Sequence, residues 1–225
     1  MILAVFSFDV LERILSKYGS VFIEGLFGTL RIAAITVFLG TLLGAVITVL
    51  RMIKFKPLQI LMTGYVEILR GTPILLQLYI FYFGVRTIFN YNNDTFWILI
   101  ALIVNSSAYV AEIFRSGIQA VDVGQSEAAK SLGMRNFNMF TRIIMPQAIK
   151  NILPALANEF ITMIKETSLA SVLFYEELMT SYKIVQSNTA RAMEPLVVIA
   201  AIYFMLTFTL SKFVGLMEKR MAESD

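Results

Sequence analysis

The sequence predicts an all-α integral membrane protein with about five transmembrane helices and a helix-turn-helix elbow on one face. Three observations predict it. Apolar residues make up 57% of the 225 positions and charged residues only 16%, against about 45–50% and about 25% in a soluble domain. Mean hydropathy is +0.72. Long uncharged runs recur along the chain, and a polar, helix-forming segment divides them in two.

Residues 1–20 mix apolar side chains with Asp9, Glu12, Arg13 and Lys17. They read as an amphipathic helix on the outer surface. Met1 to Asp9 has no basic residue before its apolar stretch, unlike a cleaved signal peptide. Ile32 to Leu50 is free of charge between Arg31 and Arg51, and the first span is placed near 21–50; about 20 apolar residues suffice to cross hydrocarbon. The second span, near 57–88, contains Glu67, Arg70 and Gly71-Thr72-Pro73. Thr before Pro is a helix-start signal, so this span is expected to break there. The third, near 94–118, is apolar up to Ala111. The fourth, near 148–173, carries Glu159, Lys165 and Glu166, and Thr167-Ser168 marks a break. The fifth lies near 193–217. With no internal repeat and no linker, the whole chain, 1–225, reads as one transmembrane domain.

Lys and Arg set the orientation, because they accumulate on the cytoplasmic side. Arg51, Lys54 and Lys56 follow span one. Arg115, Lys130, Arg135, Arg142 and Lys150 lie between spans three and four, and Lys212, Lys219 and Arg220 end the chain. Only Arg13, Lys17, Arg86, Lys183 and Arg191 fall on the other side. The N-terminus is therefore expected outside, and the 122–146 elbow and the C-terminus in the cytoplasm.

Several classes of chemistry are excluded. There is no cysteine and no histidine, which removes disulfides, zinc and haem sites built on those residues, and Ser-His-Asp or Cys-His catalysis. No Ser/Lys pair or paired aspartates suit an intramembrane enzyme. No G-x-x-x-x-G-K-[ST] loop is present, so this chain is not an ATPase. A net charge of +3 gives no argument for nucleic acid. A secondary transporter usually has more spans or an inverted repeat.

Ionisable groups at membrane depth are functional candidates. Glu67 and Arg70 stand on one helix face and read either as a mutually neutralising pair or as part of a site. Thr72, with the free N–H groups of a new half-helix, is a candidate for holding a substrate carboxylate, or else marks a simple proline kink. Ala101, Asn105, Ala108 and Glu112 share one face of span three, small and polar, suited to packing or to ligand contact. Glu159, beside Asn158 and with no cation four residues away, either binds a cationic group or pairs with Lys165 or another chain. Lys165 and Glu166 read as an internal pair.

In the elbow, Asp122 is expected to cap a helix beginning near Gln125, Gly133 to supply a left-handed C-terminal turn, Asn136 to cap a second short helix and Pro146 to end or redirect it. Ala128 and Ala129 would present a low surface, with Glu127 beside them. The pattern Glu127-Ala128-Ala129, Gly133, Ile143, Met145-Pro146 resembles the EAA loop of ABC-importer permeases; the family's Leu-Pro is Met-Pro here. Tyr65-Val-Glu-Ile-Leu-Arg-Gly-Thr-Pro73, Ala108-Tyr-Val-Ala-Glu-Ile-Phe-Arg115 and Lys165-Glu-Thr-Ser-Leu169 are similar to the polar amino-acid branch of that family. The resemblance implies a bacterial or archaeal cytoplasmic-membrane permease of about five spans. It implies a second permease chain and two ATPase subunits, which bind the ATP and magnesium and dock on the elbow. It also implies an external binding protein and an amino-acid substrate. The surplus of intramembrane carboxylates points to a basic amino acid; glutamine or glutamate is the alternative.

Overall fold

A computed structural model describes residues 6–222. The described residues form helices and turns and contain no strand. Helix α1, Phe8–Met52, has 45 residues. At 1.5 Å per residue it is about 67 Å long, more than twice the ~30 Å hydrocarbon core. The surface segment expected at 1–20 is not a separate element. Its first five residues lie outside the described range, and the rest continue straight into the span. The physical reason is that 8–52 contains no proline, and that the first turns have somewhere better to go than the membrane surface. Ile14 and Phe22 are buried against Leu178, Val185, Val198 and Ile199.

Helices α2, Lys56–Gly71, and α3, Ile74–Phe89, meet at a bend of 108°. The break falls where Gly71-Thr72-Pro73 predicts it, with Pro73 at φ −62°, ψ 135° before the new helix. A π-helical turn, Ile80–Val85, lies within α3. Helix α4, Asp94–Gln119, is capped by Asn93, whose side chain accepts from Phe96 N. The elbow follows: α5, Val123–Ser131, then α6, Asn136–Met139. A π turn, Phe140–Ile144, joins α6 to α7, Met145–Glu166. At Thr167 the helix tightens to a 3-10 turn, Thr167–Leu173, where Thr167 and Ser168 donate their hydroxyls to the carbonyls of Ile164 and Lys165. Helix α8, Leu178–Thr189, is an element the sequence reading does not place. Helix α9, Met193–Ala222, is the last.

Among the described residues three helices, α1, α4 and α9, are long and apolar enough to cross a membrane, and the bent α2–α3 pair makes a fourth if its two halves count as one span. Helix α7 does not reach the hydropathy of these spans, but its 22 residues reach about 33 Å, the length of the hydrocarbon core. The relative directions of α1, α4 and α7 follow from their contacts. Gly40 and Gly44 of α1 lie against Ser106 and Val110, so α1 and α4 run parallel. Ser106 meets Glu159 and Gly117 meets Ile152, so α7 runs antiparallel to α4.

Small residues on α1 let the backbones close. A Cβ at Gly44 would lie 2.9 Å from the Ser107 carbonyl oxygen. Thr48 then reaches across, its hydroxyl 2.8 Å from the Gly44 carbonyl oxygen and 3.2 Å from that of Ala111. Such approach replaces the missing hydrophobic drive between helices in lipid. The core around α4 joins Ile32 and Ala33 of α1 to Leu78, Ala101, Leu102, Met163 and Ile164. On the far side from the elbow, fully buried Glu177 caps α8 by accepting from Met179 N and Thr180 N at 2.7 and 2.6 Å. Glu194 accepts from Ser7 N at 3.0 Å and pairs with Arg191, tying the start of α1 to that of α9.

Candidate functional site: the polar seam and the elbow

Three consecutive polar residues on α4 reach three different neighbours. Asn105 donates its amide to Gln77 Oε1 on α3 at 3.0 Å. Ser106 donates to Glu159 Oε1 on α7 at 3.2 Å. Ser107 and Tyr65 of α2 share a hydrogen bond of 2.7 Å. Residues 100° apart on a helix point to different sides, so an Asn-Ser-Ser run suits a helix surrounded by partners. All three are buried. That run is the sequence signal for this seam, and only Asn105 was singled out from it.

Gln77 is the residue the sequence reading misses. Its Nε2 donates to Thr72 Oγ1 at 2.8 Å, to the Thr72 carbonyl at 3.2 Å and to the Leu69 carbonyl at 2.8 Å. It thereby satisfies backbone groups that the break in the second pass leaves without helical partners. Thr72 donates to the Ile68 carbonyl at 2.8 Å. The structure thus brings Thr72 and Asn105 together through Gln77. Asn105 Oδ1 is buried with no hydrogen-bond partner among the described residues. Replacing Gln77 by leucine strands the Asn105 amide and the Thr72 and Leu69 carbonyls, so Gln77→Leu is expected to cost about 1–3 kcal/mol. Thermal unfolding of the purified chain measures this, and adding Asn105→Leu should restore part of the loss.

Glu159 is 8% exposed and forms no ion pair among the described residues. Its alternative partner, Lys165, is exposed and is not paired with Glu166 either. Glu67 and Asn158 do not join the seam. Both are exposed on the outer faces of α2 and α7. The expected Glu67–Arg70 pair is absent, because Arg70 turns to Glu112 of α4 at 3.7 Å and lies over the Tyr109 ring. Arg51 of α1 reaches the same carboxylate at 3.6 Å, and Arg115 grips both its oxygens.

In the elbow, Asp122 caps α5 by accepting from Gly124 N at 2.6 Å. Gly133 has φ +74°. Met134 N donates to the Ala129 carbonyl at 3.1 Å, the long bond of a Schellman turn. Three expectations need correction. Asn136 does not cap α6; Arg135 holds that position, without a side-chain bond. Pro146 does not end the second elbow helix. It sits in the first turn of α7, where its missing N–H is absorbed by the π turn before it, and the chain stays helical from 136 to 166. Ala129 is not part of the open surface; it is 2% exposed. Glu127 and Ala128 are exposed, and they share the elbow with Val123, Leu132 and Phe137, at 68, 83 and 76% exposure. Val121, Ile144, Ala148 and Ile152 form the cluster that anchors the elbow to the bundle.

Comparison with known proteins agrees with this geometry. Residues 36–223 match the family model described as "Binding-protein-dependent transport system inner membrane component". The chain is 37% identical over 204 residues to the arginine transport system permease protein ArtQ of Bacillus subtilis, covering 90% of this chain and 93% of that protein. It is 37% identical over 213 residues to a putative glutamine transport system permease protein GlnP of Rickettsia conorii, covering 93% and 98%. A crystal structure of an amino acid ABC transporter with histidines superposes with a TM-score of 0.90 at 46% identity, covering 96% of this chain and 100% of that one. The inward-facing MetNI methionine ABC transporter, with a TM-score of 0.70 at 17% identity, shows the same fold. The chain therefore belongs to the family of binding-protein-dependent transport system inner membrane components and is the permease of an amino-acid ABC importer, a subunit distinct from the ATPase and the substrate-binding protein it works with.

Proposed function

We propose that this permease passes a basic amino acid, with Glu159 as the group that meets the substrate's cationic side chain. The observation that carries this is a buried carboxylate held by one serine hydroxyl and by no cation among the described residues; a charge at membrane depth without a partner is otherwise costly. Thr72 and Asn105, joined through Gln77 on the neighbouring helices, supply polar contacts to the same part of the bundle. The relative named for arginine and the neighbour solved with histidines support this choice. Relatives named for glutamine support the second reading, a glutamine or glutamate permease.

The elbow is the docking surface for the ATPase, through Glu127, Ala128 and the exposed Val123, Leu132 and Phe137. Two permease chains and two ATPase subunits would make one complex, with ATP and magnesium on the ATPase. The N-terminus lies outside and the C-terminus in the cytoplasm, as the Lys and Arg distribution supports.

The test is reconstitution of the chain with its ATPase and binding protein in liposomes, with uptake of arginine, lysine, histidine, glutamine and glutamate. Glu159→Gln is expected to raise the half-saturating arginine concentration by about tenfold or more, the effect of losing a buried charge pair, and to leave glutamine uptake unchanged. An equal effect on all five would overturn the charge-reading role and favour a structural one.

A further inference from the structure

We propose that the cavity between the elbow-side ends of α1, α2 and α4 is a binding site for a phosphate oxyanion, supplied by an anionic phospholipid headgroup or by free phosphate. Beside it three guanidinium groups gather on one carboxylate: Arg51 and Arg115, which line the cavity, and Arg70, which does not, all reach Glu112. The cluster is therefore over-supplied with positive charge. Glu67, one turn beyond Thr63 on α2, forms an ion pair with none of the three. Arg70 and Arg115 are part-exposed, and Arg51 is the shielded member of the cluster. Arg51 Nη1 is buried and has no hydrogen-bond partner among the described residues, its approach to Glu112 being 3.6 Å. A buried guanidinium N–H left without an acceptor is costly, and an incoming anion would remove that cost.

A cavity of about 380 Å³ adjoins this atom, lined by Arg51, Arg115, Gln59, Thr63 and Gln119. Its polar lining is rich in donors, and the arginine fork matches phosphate geometry. Its level fits a headgroup. Arg51 is the penultimate residue of α1, and Arg115 lies one turn before the end of α4. Beside it Met52, Phe55, Ile60 and Leu61 are exposed at 51, 59, 73 and 64%, an apolar flank for acyl chains. Basic pockets between transmembrane helices are suited to anionic headgroups. A general excess of Lys and Arg on one membrane face does not require a buried guanidinium Nη1 without a hydrogen-bond acceptor at a cavity wall; a site does.

The experiment uses the full chain in nanodiscs of phosphatidylcholine, with or without phosphatidylglycerol. Native mass spectrometry counts retained phosphatidylglycerol, and calorimetry measures inorganic phosphate binding in the neutral discs. Arg51→Gln removes the free donor while Arg70 and Arg115 still neutralise Glu112. Gln119→Glu is nearly isosteric, keeps the contact with Arg115 and places a negative charge at the cavity wall. Both are expected to lower anion retention about tenfold or more, and Lys54→Gln, which removes an exposed cation from the same face, to leave it unchanged. Retention of phosphatidylglycerol without binding of inorganic phosphate identifies a lipid site. Binding of inorganic phosphate that both variants abolish identifies a soluble-anion site. No anion binding by the parent chain, retention unchanged in both variants, or an equal loss in Lys54→Gln overturns the proposal.

Discussion

Gly133→Val is expected to leave the chain folded in the membrane and to lower uptake per ATP hydrolysed by about tenfold or more, a coupling loss of roughly 1.4 kcal/mol. Gly133 sits at φ +74° with no atom within 4 Å of where a Cβ would stand, so the penalty is conformational rather than steric. A side chain in that left-handed conformation costs about 1–2 kcal/mol, more for a β-branched one. The chain relieves it by opening the turn, which breaks the Met134 N to Ala129 carbonyl bond. Helix α5 then loses its fixed angle to α6, and with it the placement of Glu127 and Leu132. The measurement is the ratio of uptake to hydrolysis in proteoliposomes. Gly215→Val, at another open position, serves as the comparison and should leave the ratio near the parent value. Glu127→Lys is expected to give the same uncoupling by reversing the charge at the docking surface. Parent-like coupling in both Gly133→Val and Glu127→Lys would remove the elbow from the mechanism.

Gly28→Val acts at the other end and on stability. A Cβ at Gly28 would lie 2.0 Å from the Glu176 carbonyl oxygen. The obstacle is backbone, not the end of a flexible side chain, so α1 must move away from residues 176–178. That movement breaks the bond of 3.1 Å from Leu178 N to Thr29 Oγ1 and loosens the contacts of Ile14 and Phe22. Overpacking costs about 1–3 kcal/mol and more where backbone must shift. At ~3 kcal/mol the melting temperature of a chain this long falls by about 6–12 °C. Scanning fluorimetry of the purified chain measures it, and Gly64→Val, which meets nothing within 4 Å, should shift it little. A parent-like melting temperature for Gly28→Val would mean that α1 and the α8 cap are not in contact.

The reach of sequence reasoning was uneven for reasons that can be named. Helices α1, α4 and α9 were legible because hydrocarbon imposes a length on any apolar run. The break at Thr72-Pro73 and the turn at Gly133 were legible because proline and glycine act locally. Pairings between distant residues were not. Glu67 and Arg70 share a helix face, yet Arg70 finds Glu112 in another pass, and no local spacing encodes that. Gln77 was overlooked because an uncharged amide in an apolar run carries no visible cost until the helix break beside it exposes carbonyls. Helix α8 has neither the length nor the hydropathy of a span; its signal is Glu177 as a cap, which becomes meaningful once burial is known. Among the site residues, Asn105 and Glu159 are buried in the bundle and Thr72 is half-buried beside Gln77. Glu67 and Asn158 face outward, since adjacency in sequence to an inward residue places a helical side chain on a different side.

The helical continuity from Asn136 to Glu166 has a mechanical meaning. Phe137 of the elbow and Glu159 stand on one continuous helical run, separated by about 33 Å of axial rise. A rotation applied at Phe137 would be delivered along that run, with the π turn at Phe140–Ile144 and Pro154 as the places where it can flex. A rotation of roughly 15° at the ~5–6 Å radius of a helix with its side chains carries a carboxylate about 1.5 Å. The Ser106–Glu159 hydrogen bond, 3.2 Å long, does not survive such a displacement. A small twist of α7 is therefore enough to break the contact of Glu159 with α4 without unfolding any part of the bundle.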